Sequence, residues 1–180
     1  MNQPPVLKTA LNFGAMSGLA SFAMFLLLYY TGFNPLGQIS WVGVWIPVVF
    51  IVLGTKHYRD HEGQGYISYW QGFRVGFLTA SGGAFLFALM VWSFATVIDA
   101  QIVERFKQES LMYLEQTEQL SKSMFGEAIY DASVENIEKI TTGTISAQEF
   151  WDKTFGGLII SLITAAFLRK NNSTPLSNEL

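Results

Sequence analysis

Three stretches of this chain contain no charged residue at all: Ala10 to Tyr30, Ile39 to Thr55 and Val75 to Ile98. At 1.5 Å per residue the first and third are long enough, as helices, to cross a hydrocarbon core of about 30 Å. A chain in lipid must satisfy every backbone N–H and C=O internally, so such runs fold as helices. The middle run is shorter, and Pro47 within it predicts a bend. A fourth run, Phe155 to Leu168, would reach only about 21 Å. Ser146-Ala147-Gln148-Glu149 fits the spacing of a capping box and predicts that this helix starts earlier. Phe150 and Trp151 then become interfacial anchors, with Asp152 and Lys153 at headgroup level. The expected architecture is all-α: a single membrane domain, 1–180, forming a four-helix transmembrane bundle with spans at about 10–31, 39–55, 70–98 and 147–168. The first run is read as an uncleaved anchor, because Thr31-Gly32-Phe33-Asn34 offers no small-x-small cleavage site of a signal peptide.

Composition agrees with a bilayer as the first partner, since half of the residues are hydrophobic and 14% are charged. The net charge of -3, with the acids gathered in 99–145, argues against nucleic acid. The absence of cysteine excludes disulfides, thiolate metal sites and cysteine nucleophiles. Lys8, Lys56, Arg59, Arg74, Arg169 and Lys170 fall on one side if the spans alternate, while the first loop, around Gly32 to Gly37, has no basic residue. The positive-inside rule therefore places both termini in the cytoplasm, in a bacterial inner membrane, and the acidic 99–145 segment outside. No Pro or Gly occurs between Gly83 and Gly126, so the third helix is expected to run on past Asp99. Ile102, Val103, Phe106, Tyr113, Leu114 and Met124 recur near helical spacing, as do Ile129, Tyr130, Val134, Ile137 and Ile140 after Gly126. They predict an extramembrane helical hairpin between helices three and four, its apolar stripes packing on each other or meeting a partner.

Small residues recur every four positions at Gly72, Gly76, Ala80, Ala84 and Ala88, at Gly14 and Gly18, and at Gly157, Ser161 and Ala165. Such faces let helix backbones approach closely, within one chain or across a homodimer. Chemistry is sparse. His57 and His61, at i and i+4, would share a helix face able to hold a metal, but a solvated loop explains them equally and no third imidazole exists. Arg74 reads as a snorkelling charge at the inner interface or as a substrate clamp. Asp60 has Arg59 or Arg74 as an ion-pair partner. Transport should leave ionisable groups in mid-span, and the uncharged runs contain none. No metalloprotease, phosphate-loop or nucleophile-elbow motif occurs, so neither an enzyme nor a cofactor is expected.

Leu53-Gly54-Thr55-Lys56-His57-Tyr58-Arg59-Asp60, the block from Gly65 through Arg74 to Gly76, and Ala165-Ala166-Phe167-Leu168-Arg169-Lys170 together resemble a bacterial family known as domain of unknown function 4199. The resemblance spans nearly the whole chain and implies four membrane helices with an acidic helical insert before the last. It implies no activity. The expected function is association with lipid, with a membrane or periplasmic protein, or with a second copy; the alternative is a small-solute or ion transporter or channel.

Overall fold

A computed structural model describes residues 5–170; both ends of the expected 1–180 domain, 1–4 and 171–180, lie outside the described residues. The described residues form an all-helical fold: α1 (Pro5–Tyr30), α2 (Trp45–His57), α3 (Tyr69–Ser93), α4 (Ile102–Gln116), α5 (Glu118–Phe125), α6 (Glu127–Glu138) and α7 (Thr142–Leu168). A 3₁₀ segment, Gln38–Val44, leads into α2, and π-helical turns extend α2 through Tyr58–Glu62 and α3 through Phe94–Ile98. Among the described residues four helical stretches are long and apolar enough to cross a membrane: Val6–Tyr30, Gln38–Glu62, Tyr69–Ile98 and Thr142–Leu168.

Several boundaries differ from the sequence expectation, for local physical reasons. The second helical stretch does not stop at Thr55; it runs seven residues further, to Glu62. Pro47 sits in the first turn of α2, where its missing N–H costs little, and the irregularity lies instead in the 3₁₀ segment before it. The third helix does not continue past Asp99. Asp99 leaves helical geometry at φ -143°, ψ 86°, and its Oδ1 accepts the Gln101 N–H at 3.1 Å, an Asx-type turn that competes with the helix. The last helix begins at Thr142 rather than at a Ser146 cap. Thr141 Oγ1 accepts the Thr144 N–H at 3.2 Å and Thr144 Oγ1 accepts the Thr141 N–H at 2.8 Å, so the reciprocal cap lies one turn earlier. At α3 the same device is built from Ser68 and Gln71.

α3 packs between α1 and α7, and α2 touches all three. The small-residue faces make these seams. A Cβ on Gly157 would lie 2.3 Å from the Ala80 Cβ, one on Gly76 2.9 Å from Ser161 Oγ, and one on Gly72 3.4 Å from Ala165. Each pair steps four residues along both helices in opposite senses, which defines an antiparallel register of α3 on α7. On the other side, a Cβ on Gly14 would meet the Thr79 carbonyl oxygen at 2.9 Å, and one on Gly18 the Gly83 carbonyl oxygen at 2.9 Å. Ala84, the next step of the row Gly72, Gly76 and Ala80, is buried as well. These faces are therefore occupied by contacts within the chain.

At one end of the molecule Tyr58, Ile67 and Val75 are buried together with Val6 against them, and Ile67 and Lys170 exchange backbone hydrogen bonds. The start of α1, the α2–α3 loop and the end of α7 thus share one end, which carries Lys8, Lys56, Arg59, Arg74, Arg169 and Lys170. At the opposite end Phe25, Leu36, Phe87, Val91, Phe94, Ile102, Val103 and Ile145 form one core. Ile102 and Val103 root α4 in that core. Beyond its first turn the α4–α6 unit is only partly packed: Met112, Tyr113, Leu120, Met124, Phe125 and Ile129 are exposed.

Candidate functional sites

The basic end holds the sequence-predicted inner-loop residues. Tyr58 is buried, whereas His57, Asp60, His61 and Arg74 are exposed. The His57 and His61 rings stack with centroids 4.1 Å apart, and His61 Nδ1 lies 3.1 Å from the His57 carbonyl oxygen. The two histidines do share a helical turn, but among the described residues no group of three His, Asp or Glu side chains converges as a metal site. Arg59 Nε donates to Asp60 Oδ1 at 2.7 Å, so the aspartate pairs with its sequence neighbour and not with Arg74. Gly65 takes a positive φ of 84°, the left-handed geometry that favours glycine in the turn before α3.

At the other end the structure assembles a polar cluster that sequence reading did not find. Tyr29 Oη donates to Asp99 Oδ2 at 2.9 Å, and the Arg105 guanidinium donates to the same oxygen. Asn34 Nδ2 donates to Glu109 Oε2 at 3.0 Å, and the Glu109 carboxylate rests against Gly37, where a Cβ would come within 2.6 Å. Burial alone would push the Asp99 carboxyl upward; hydrogen bonds from Arg105, Tyr29 and the Gln101 N–H outweigh it and hold the group below the usual carboxylate range. The same contact raises the Arg105 guanidinium above its ordinary value. Beside this cluster opens a pocket of about 580 Å³ lined by Tyr29, Tyr30, Gly32, Phe33, Asn34, Pro35, Arg105 and Glu109. That volume lies in the range of small-molecule sites. Glu109 also borders a more apolar groove of about 370 Å³ between α4 and α6, lined in part by Phe106, Tyr113, Leu114, Ile137 and Ile140. The partners are 70 and 75 residues apart in sequence, so no local pattern announces them.

A third site lies on α7. Lys153 Nζ is 2.5 Å from Glu149 Oε2 and 4.2 Å from the centre of the Phe87 ring. Continuing the α3–α7 register sets Lys153 level with Ala84 and Glu149 level with Ala88. The pair borders a cavity of about 30 Å³ with Ser21, Ser40 and Gly43, room for about one or two waters. The i, i+4 spacing of Glu149 and Lys153 is the signal in the sequence, and sequence reading placed Lys153 at headgroup level without seeing that it turns back onto Phe87.

A family model described as protein of unknown function (DUF4199) matches residues 12–170. Searches of curated proteins and of solved structures give no match.

Proposed function

The chain belongs to the DUF4199 family, and on that premise we propose that it is a non-enzymatic integral protein of a bacterial inner membrane that acts by association. Its four long apolar helices cross the bilayer as a four-helix bundle. The basic end faces the cytoplasm with both termini, and α4–α6 stands on the outer side as a helical hairpin. The observation that carries the association reading is the exposed apolar face of α4–α6. Met112, Leu120, Met124, Phe125 and Ile129 are each more than half exposed in a segment rich in Glu. Leu120 and Met124, four residues apart on α5, share one helix face, and exposed apolar patches rimmed by polar residues mark interaction sites. The small-residue ridges, the other surface considered for association, are filled by α1–α3 and α3–α7 contacts, so the partner surface is assigned to the outer unit. The test is site-directed photocrosslinking from Leu120, Met124 and Ile129 in native membranes. A discrete adduct to a second protein or a second copy is expected; monomer alone from all three positions contradicts the reading.

A second reading, a path for a small solute or ion, is favoured by the Glu149–Lys153 pair beside a water-sized cavity, because ionisable groups within apolar spans default to function. Flux of protons or monovalent ions in liposomes that falls in Glu149→Gln would support it. Flux indistinguishable from empty liposomes would remove it.

A further inference from the structure

We propose that the pocket beside Asp99 is a binding site for a membrane lipid with a zwitterionic headgroup carrying a phosphate and a primary ammonium. Arg105 would take the phosphate and Glu109 the ammonium. The proposal rests on the reading of α1 and α3 as membrane spans, since that puts the pocket where α1 leaves the bilayer on the outer side.

The lining argues for both halves of such a headgroup. Arg105 engages Asp99 through one Nη, and its side chain remains half exposed; the rest of the planar fork has the geometry that suits phosphate oxygens. Asp99, much less exposed, holds the guanidinium in place from behind. Glu109 is fixed by Asn34 and by the close approach to Gly37, so a carboxylate lines the same pocket one turn of α4 away from the guanidinium. One cation and one anion in the wall favour a zwitterion over a simple anion, which Glu109 would repel.

The walls argue for a lipid over a free solute. Tyr30 and Phe33 line the pocket and are 79% and 55% exposed, the amphipathic aromatics expected at a membrane interface. Tyr30 continues downward into an exposed stripe on α1 formed by Met16, Leu19, Ala23 and Leu27, at helical spacing. An acyl chain laid along that stripe delivers its headgroup to Arg105 and Glu109.

The test uses the full chain purified in detergent with an equimolar mixture of phosphatidylethanolamine, phosphatidylglycerol and diacylglycerol, with retained lipid read by native mass spectrometry. The expected result is about fivefold more phosphatidylethanolamine than phosphatidylglycerol, the upper scale of an exposed ion pair. Glu109→Gln is expected to bring the two phospholipids to parity. Arg105→Gln is expected to reduce both to the diacylglycerol level. Equal retention of the two phospholipids by the unaltered chain, or an unchanged preference in Glu109→Gln, overturns the proposal, and because that variant leaves the Asp99–Arg105 contact intact the result does not depend on Arg105→Gln folding. Displacement of the lipid by an equal concentration of free phosphoethanolamine would also overturn it, by making the pocket a site for a soluble headgroup. Cysteine labelling of loops from the two sides of the membrane scores the spans separately, so a lost lipid preference in a correctly inserted chain counts against the pocket and not against the topology.

Discussion

Gly156 and Gly157 are neighbours on α7 with opposite surroundings. A Cβ on Gly157 would lie 2.3 Å from the Ala80 Cβ, whereas one on Gly156 meets nothing within 4 Å. Gly157→Ala should therefore push α7 off α3 and destabilise the protein by about 1–3 kcal/mol, the usual cost of overpacking. Gly156→Ala should be neutral or stabilising by up to about 1 kcal/mol, through helix propensity alone. Denaturant titration of both variants in the same detergent checks the pair, and equal effects would contradict the assigned seam. Asp99 carries a second prediction. Its folded pKa is depressed, so its contribution is complete above the ordinary carboxylate value of about 3.9 and is lost as pH falls through the lower, folded value. Asp99→Asn should cost about 1.5–3 kcal/mol at neutral pH, the scale of hydrogen bonds to a charged group, and should flatten the loss of stability below about pH 4. Unfolding midpoints measured from pH 7 down to pH 3 test both statements.

Elements were legible in proportion to how local their causes are. Uncharged length identifies the four apolar stretches because each residue contributes by itself to the hydropathy of its segment. Boundaries depend on side chains that compete for the same backbone donors. Ser146-x-x-Glu149 matches a capping box in sequence, yet Thr141 and Thr144 form the cap, and Ser146 lies buried in the second turn with no hydrogen-bond partner for its Oγ among the described residues. Ser68-x-x-Gln71 has the same legible spacing and does cap α3. Thr141→Ala should accordingly lower stability by about 1 kcal/mol, while Ser146→Ala should leave it unchanged or slightly higher, since no bond is lost; thermal unfolding of the two variants compares them directly. The break after α3 was not legible, because absence of Gly and Pro says nothing about Asp99 being drawn to Tyr29 on α1 and Arg105 on α4.

On the scale of the whole molecule, the small-residue spacing announced that three helices can pack closely but not which faces meet. The structure gives α3 both partners, Gly72, Gly76 and Ala80 toward α7 and Thr79 with Gly83 toward α1, and Gly83 was not among the positions that the four-residue spacing singled out. The polar cluster and its pocket were illegible for the same reason: Asn34, Asp99, Arg105 and Glu109 come together only once α4 is rooted on the top of the helices. Everything functional then depends on where the bilayer lies. The decisive measurement is thiol accessibility in intact cells, with single cysteines introduced at Ser123 in α5 and at Gln64 in the basic-end loop of this naturally cysteine-free chain, probed by a membrane-impermeant maleimide. Labelling of Ser123→Cys, with Gln64→Cys reached only after the cells are opened, is the result expected if α4–α6 stands outside and the basic end inside. Labelling of Gln64→Cys in intact cells, alone or together with Ser123→Cys, would contradict the four-span topology on which the proposed association and the lipid site both rest.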